Sequence, residues 1–360
     1  MTNGKMNAAV LNGVRSVATV QQRDIPNIGP DDALIRVVAS GICRSDWHLW
    51  NGDWGWIDQK LFDVLGHEIG GVVEAVGENV RRIKVGQKVT IPFNLACGHC
   101  PYCKKGRHNI CDNQKVPHSL DGSGGWAEYM RAPDADLNCI PLPDGVDELA
   151  AAALGCRYMT AWRAVRDRAQ IQGGETLAVF GCGGVGQAAV EIGATLGARV
   201  IAVDVDDKKL EKMKKLGADA TVNAKGMAPE EAAAAVKALT DGGIGADAAV
   251  DALGIRTTML GALNSLCKGG RLAQVGLTSQ DEKGQVALPT DLIVAFEWEI
   301  RGSLGNPQSG YHDLLSMVAR GKLNPTRLVS EEVGLSDVAR VLDDMDNFRT
   351  DGYVVITRFN

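Results

Sequence analysis

Fifteen residues hold four of the nine cysteines: Cys97-Gly98-His99-Cys100-Pro101-Tyr102-Cys103, followed by Cys111. Four thiolates at spacings of two, two and seven can wrap one tetrahedral ion, and an all-cysteine set is the closed shell of a structural zinc. An iron–sulfur cluster is the competing occupant by spacing alone. His99 and His108 share the lobe, and with four sulfurs present they read as solvated loop residues. A second set is dispersed: Cys43 after Gly41-Ile42, His67 within Gly66-His67-Glu68, and Cys156 within Leu154-Gly155-Cys156-Arg157. Two sulfurs and one imidazole leave a fourth coordination position open, the composition of a catalytic zinc. Spacing does not join these three, because a buried cysteine also serves as a small apolar residue and a histidine as a satisfied core group.

A third arrangement has the residue types of a phosphate-binding loop. Gly181-Cys182-Gly183-Gly184-Val185-Gly186 follows the apolar run Thr176 to Phe180 and opens a helical stretch from Val185 to Leu196. Glycines there permit a tight turn, close approach of backbone to a pyrophosphate and close helix–strand packing. The helix N-terminus adds unpaired N–H groups and partial positive charge. Asp204 lies eighteen residues beyond Gly186, at the end of the run Arg199 to Asp204. A carboxylate there accepts ribose hydroxyls. It repels a 2′-phosphate by on the order of 4 kcal/mol for unit charges about 4 Å apart at an effective dielectric of about 20. NAD(H) is therefore expected over NADP(H).

These groups need two kinds of scaffold. The first third of the chain is rich in short strand signals: Ala33 to Ala39, Ile69 to Val76, and Val85 to Pro92. Short strands at close spacing predict a barrel-like or sandwich core. Asp147 to Ala164 is alanine-rich and helix-compatible. Beyond it, strand runs (Thr176 to Phe180, Arg199 to Asp204, Ala246 to Val250, Arg271 to Val275) alternate with helical ones (Val185 to Leu196, Asp207 to Leu216, Glu230 to Leu239, Thr257 to Leu266). That alternation predicts a doubly wound parallel sheet.

Composition supports an ordinary globular chain. Hydrophobic residues make up 45% and charged residues 23% of 360, and the formal charge is −6. This composition argues against a disordered chain, and the acidic balance against a phosphate-tracking surface. A zinc-ribbon nucleic-acid module, suggested by the cysteine lobe alone, fits neither that charge nor the lobe's small share of the chain. No apolar run approaches the ~18 residues of a membrane helix, and the first residues lack the apolar core of a signal peptide; a cytoplasmic location is expected. The length points to two domains. Glycine, 43 of 360, is high, which predicts many turns and close approaches. Nine cysteines are too few for a disulfide scaffold, so clustered thiols are read as metal ligands. Cys139, Cys182 and Cys267 carry no assigned role.

Taken together, Gly41-Ile42-Cys43-Arg44-Ser45-Asp46-Trp47-His48, Gly66-His67-Glu68, the cysteine lobe, Cys156, the glycine loop and Asp204 resemble the zinc-dependent medium-chain dehydrogenase/reductase superfamily, in its alcohol dehydrogenase branch. The resemblance covers essentially the whole chain. It implies an α/β fold with a GroES-like catalytic domain over 1–158 and 301–360, and a Rossmann cofactor domain over 159–300. It makes Cys43, His67 and Cys156 the catalytic zinc ligands. Glu68 becomes a carboxylate that enters the coordination shell transiently, Asp46 the acceptor for the other nitrogen of His67, and Ser45 and His48 the proton relay. Thr160 and Val185 would contact the nicotinamide, Val275 the cofactor, Arg44 the pyrophosphate, and Lys209 the ribose beside Asp204. Two zinc ions, NAD(H), a small alcohol or carbonyl substrate and a homo-oligomer, tetramer before dimer, complete the expectation.

The activity so implied is reversible hydride transfer between a primary or secondary alcohol and its carbonyl. Polyol, threonine-type and aldehyde-directed enzymes of the superfamily are the neighbouring readings, and a non-catalytic cofactor-binding protein is the reading from another class. Polyol members usually carry Glu at the Cys156 position. Some members set an arginine near the C-terminus on the pyrophosphate; Asp351 to Thr357 contains none. Four of seven tryptophans (Trp47, Trp50, Trp54, Trp56) fall within ten residues. With Phe93, Trp54 and Trp56 are expected to wall a pocket for apolar or ring-bearing alcohols. Trp126, Trp162 and Trp298 read as structural.

Overall fold

The computed structural model describes residues 4–54, 63–120, 124–278 and 281–360. The chain forms two compact units, Met1–Met159 with Gly305–Asn360, and Thr160–Leu304.

The first unit is β-rich. Strands Val329–Gly334, Tyr353–Arg358, Ala33–Ile42, Glu68–Val76, Lys88–Ile91 and Ile140–Pro141 lie side by side in that order, and Tyr129–Ala132 also pairs with Ala33–Ile42. Alternating apolar side chains bury one face of these strands; Ile35, Val37, Ile69, Val73, Val89 and Ile91 share one core cluster. The register decides where the chemistry sits. Gly41 pairs with Glu68, and Ile42 with Val354 of the C-terminal strand. The end of one strand and the start of its neighbour thus bring Cys43 and His67 to the same edge. The strand expected from Val85 starts only at Lys88, because Gly86 takes a left-handed turn (φ 83°). The expected strands over Ala33 to Ala39 and Ile69 to Val76 are both present and extend to Ile42 and back to Glu68.

The second unit is a six-stranded parallel sheet. In spatial order its strands are Ala220–Asn223, Arg199–Asp204, Thr176–Phe180, Ala246–Asp251, Leu266–Gln274 and Glu299–Gly302. Chain order reverses between Thr176–Phe180 and Ala246–Asp251, the switch point at which doubly wound sheets bind ligands. The sequence pattern predicts neither edge strand. Ala220–Asn223 is four residues of mixed polarity, and Glu299–Gly302 has no apolar alternation; pairing with a neighbour, not composition, makes them strands. Among the described residues, no helix is long and apolar enough to cross a membrane.

Candidate catalytic metal centre and dinucleotide loop

Cys43 ends the strand Ala33–Ile42 and caps the helix Arg44–Asn51. Asp46, in the first turn, reaches back so that its Oδ2 accepts the Cys43 N–H at 2.9 Å. Its Oδ1 accepts from Gly66 N–H at 3.2 Å and lies 2.9 Å from His67 Nδ1. One buried carboxylate therefore fixes the backbone of one ligand and the ring of another, and leaves His67 Nε2 for a metal. Cys156 comes from a third place, the wide helical turn Leu154–Tyr158. Such widened turns recur at functional sites.

The donor atoms of Cys43, His67 and Cys156 lie within 4.8 Å of one another, and the three residues are buried or nearly so. One ion at the usual ~2.0–2.3 Å can bridge them with small shifts. Without an ion, protons hold the three side chains together. A hydrogen bond from Cys156 holds Cys43 well below its usual pKa in spite of burial, and the same bond pushes Cys156 well above its own. Burial works to lower the His67 pKa, but Asp46 and Cys43 raise it well above the usual value. A divalent ion bound here would displace the proton shared by the two thiols and the one on the His67 ring, leaving two thiolates and a neutral imidazole as ligands.

Ser45 Oγ stands 3.8 Å from Cys43 Sγ. His48 lies three residues on, on the same helical face. Its Nδ1 is 2.6 Å from Asp53 Oδ2, and its ring stacks on Trp54 at 5.2 Å. Burial holds the His48 pKa below 6.5, with Asp53 opposing. Phe93 meets the His67 ring edge-on at 6.0 Å. Trp47, Trp50 and Trp54 pack against one core cluster with Met6, Ile42 and Leu342, so packing accounts for much of the tryptophan concentration; Trp56 lies outside the described residues. Trp126, Trp162 and Trp298 are buried, as structural residues should be. Arg44 is held by Met345 O at 2.6 Å and between the rings of Trp47 and Phe348, at 3.6 and 5.1 Å.

Two residues beside the metal set went unread in the sequence. His118 is buried with its ring 5.8 Å from that of His67; a single histidine in a loop gives no pattern to find it by. Arg157 donates from Nε to Glu68 Oε1 at 2.9 Å and from Nη2 to Oε2. Its only sequence signal is a position next to a ligand. Burial raises the Glu68 pKa while Arg157 pulls it back.

The cysteine lobe is a second, closed set. Cys97, Cys100, Cys103 and Cys111 are all free thiols with donor atoms within 4.8 Å of one another. Cys111 Sγ is 3.5 Å from Cys97 Sγ and 3.9 Å from Cys100 Sγ. A tetrahedron with Zn–S bonds of about 2.3 Å has edges of about 3.8 Å, so the sulfurs frame a single ion, too close for the wider iron–sulfur cluster. N–H groups of Cys97, Cys103 and Asn113 point at the sulfurs at 3.3–3.4 Å. Cys97 is pulled down to about 6, its N–H donors outweighing desolvation. Leu95 and Lys115 exchange backbone bonds of 2.9 and 3.0 Å and close the lobe. His99 is exposed, as expected, but His108 is half-buried, in the short turn His108–Ile110. Desolvation lowers its pKa, so it is not the solvated residue its sequence position implies.

In the parallel-sheet unit, Gly181 takes φ 87° and Gly183 caps the helix Gly184–Thr195. A Cβ on Gly186 would fall 1.8 Å from the Gly181 carbonyl, whereas one on Gly183 would meet nothing within 4 Å. The first approach closes the turn; the second leaves open space over the helix N-terminus, where a pyrophosphate fits. Asp204 accepts from Cys182 N–H at 2.6 Å, and from Val205 and Asp206 N–H at 2.8 and 3.1 Å. It ties the loop to the neighbouring strand end while retaining acceptor capacity. Lys209 sits half-buried in the helix Asp207–Leu216, Val185 and Val275 are half-buried, and Thr160 is buried.

Residues 29–144 match the alcohol dehydrogenase GroES-like domain family and residues 184–320 the zinc-binding dehydrogenase family. The chain is 32% identical to an alcohol dehydrogenase of Geobacillus stearothermophilus over 98% of both sequences. It is 31% identical to a sorbitol dehydrogenase of Bacillus subtilis (strain 168) over 96% of this chain and 95% of that one. Among solved structures it resembles the alcohol dehydrogenase TADH from Thermus sp. ATN1, with a TM-score of 0.88 and 32% identity over 98% and 99% of the two chains.

Proposed function

Since the chain belongs to the zinc-containing medium-chain dehydrogenases, we propose that it is an NAD(H)-dependent alcohol dehydrogenase interconverting a small primary or secondary alcohol and its carbonyl compound. The observation that carries this reading is the convergence of Cys43, His67 and Cys156, with Ser45 Oγ 3.8 Å from Cys43 Sγ. When bound, zinc supplies Lewis acidity toward a substrate oxygen and the dinucleotide supplies hydride chemistry. Ser45 Oγ takes the substrate's hydroxyl proton, and His48, neutral at physiological pH, passes it to solvent. Asp46 keeps the His67 ring turned and does not exchange a proton itself. Asp204 selects the unphosphorylated ribose, Arg44 and the Gly183–Gly186 backbone take the pyrophosphate, and Lys209 stands beside the ribose. Thr160 and Val185 contact the nicotinamide, and Val275 the cofactor.

Phe93 against His67 favours an apolar or ring-bearing alcohol. A cytoplasmic homo-oligomer, tetramer before dimer, and the division at 158/159 and 300/301 remain part of this proposal. The test is an NADH-absorbance screen over primary, secondary, aromatic and polyol alcohols, with zinc measured in parallel. We expect turnover of simple alcohols and two zinc ions per chain; Cys43→Ala should keep one zinc and lose turnover. A fully active Cys43→Ala protein lacking that zinc would overturn the mechanism, and turnover confined to sugar alcohols would replace it with a polyol dehydrogenase.

A further inference from the structure

Glu68 follows the ligand His67 in sequence, and Arg157 follows the ligand Cys156; both are buried, at 0% and 6% exposure. Both carboxylate oxygens of Glu68 are engaged. Oε1 takes the N–H groups of Cys156 and Arg157 at 3.2 Å each and Arg157 Nε at 2.9 Å, and Oε2 takes Arg157 Nη2. The guanidinium rests on the buried Tyr353 ring, 3.8 Å from its centre. Two glycines make room for this carboxylate. A Cβ on Gly41 would fall 2.0 Å from Glu68 Oε2, and one on Gly155 would fall 2.4 Å from Glu68 Cα. The oxygens of Glu68 do not join the donor cluster of Cys43, His67 and Cys156.

A planar fork holding both carboxylate oxygens fixes orientation as well as charge. Removing one partner of a buried pair leaves an uncompensated charge that must find another. A metal held by its sequence neighbours would be a cation then open to Glu68. We propose that Arg157 is a positioning residue of the catalytic centre: its fork holds Glu68 away from the metal and so keeps the fourth coordination position open for substrate. The proposal rests on the zinc dehydrogenase reading. It differs from the expectation that Glu68 enters the shell transiently: on this proposal the fork keeps it out.

The test uses the full chain with the catalytic zinc exchanged for cobalt and the structural zinc retained, one zinc per chain by metal analysis. Visible spectra and alcohol kinetics are compared for wild type, Arg157→Met, Glu68→Gln and the double variant. Arg157→Met should change the cobalt d–d bands and lower kcat by about 10- to 100-fold, the range for partners of metal ligands. Adding Glu68→Gln should return the wild-type bands and most of kcat, since an amide is a poor ligand. Unchanged bands in Arg157→Met, or a double variant as disturbed as Arg157→Met, would overturn the proposal in favour of simple packing. If Arg157→Met does not fold, Arg157→Lys with and without Glu68→Gln gives the same comparison. Wild-type protein that takes up no cobalt, or oxidises no alcohol, would instead fail the underlying reading.

Discussion

Asp204 has two tasks on the proposed NAD(H) reading, and they can be separated. It accepts the N–H groups of Cys182 in the glycine loop and of Val205 and Asp206 beside it, and on that reading it presents charge where a ribose phosphate would lie. Asp204→Gly should shift the NAD/NADP ratio of kcat/KM toward NADP by about 10²–10³-fold, from the repulsion removed, and should also lower Tm. Asp204→Asn removes charge but keeps one acceptor, so its specificity should shift with a smaller stability loss. An unchanged ratio in both would remove Asp204 from cofactor selection. His48 offers a pH readout. Burial keeps its ring neutral below the usual 6.5, so the base form persists on the acid side. His48→Gln should slow alcohol oxidation most at low pH, by up to about 10²-fold, and little at high pH, where hydroxide substitutes. His118 bears on stability. Burial, with His67 adding, depresses its pKa to about 3 from 6.5. The unfolded chain then binds a proton between those values that the folded chain refuses, so stability falls as pH drops through that window. His118→Phe should flatten the loss of urea midpoint between pH 6.5 and 3; an equally steep fall would show that the ring titrates normally.

The turn after Phe180 and the first turn of the helix Gly184–Thr195 separate two uses of glycine. At Gly186 a side chain collides with the Gly181 carbonyl at 1.8 Å, and at Gly183 it meets open space. Gly186→Ala should therefore lower Tm and weaken NADH binding together. Gly183→Ala should leave Tm unchanged but weaken NADH binding, because its methyl occupies the approach to the phosphates. Fluorescence titration and thermal denaturation of both variants check the pair, and equal losses of stability would refute the distinction. Other elements follow the same logic. The widened turn Leu154–Tyr158 turns the N–H groups of Cys156 and Arg157 toward one oxygen of Glu68. Alanine content made this stretch recognisable as helix but gave no sign of the wide turn, which depends on the buried carboxylate it serves.

The molecule's first unit is discontinuous. Tyr353–Arg358 pairs with the strand that ends at Ile42, next to Cys43. A chain truncated after residue 350 should lose catalytic zinc, even though every ligand lies before residue 157. Zinc analysis and far-UV circular dichroism test this, and a truncated protein that keeps both zinc ions would show that the C-terminal strand is dispensable. The sequence by itself determined whatever is local. The cysteine lobe needs only fifteen consecutive residues to bring four sulfurs together, and the glycine loop only its own turn and the next strand end. The resemblance of short motifs named the remaining ligands. The same resemblance named the Asp46 bridge to His67. Tertiary structure alone decided the His118 ring beside His67 and the fork of Arg157 on Glu68. Those two contacts join residues about 50 and nearly 90 positions apart, and no local pattern of residue types encodes such distances.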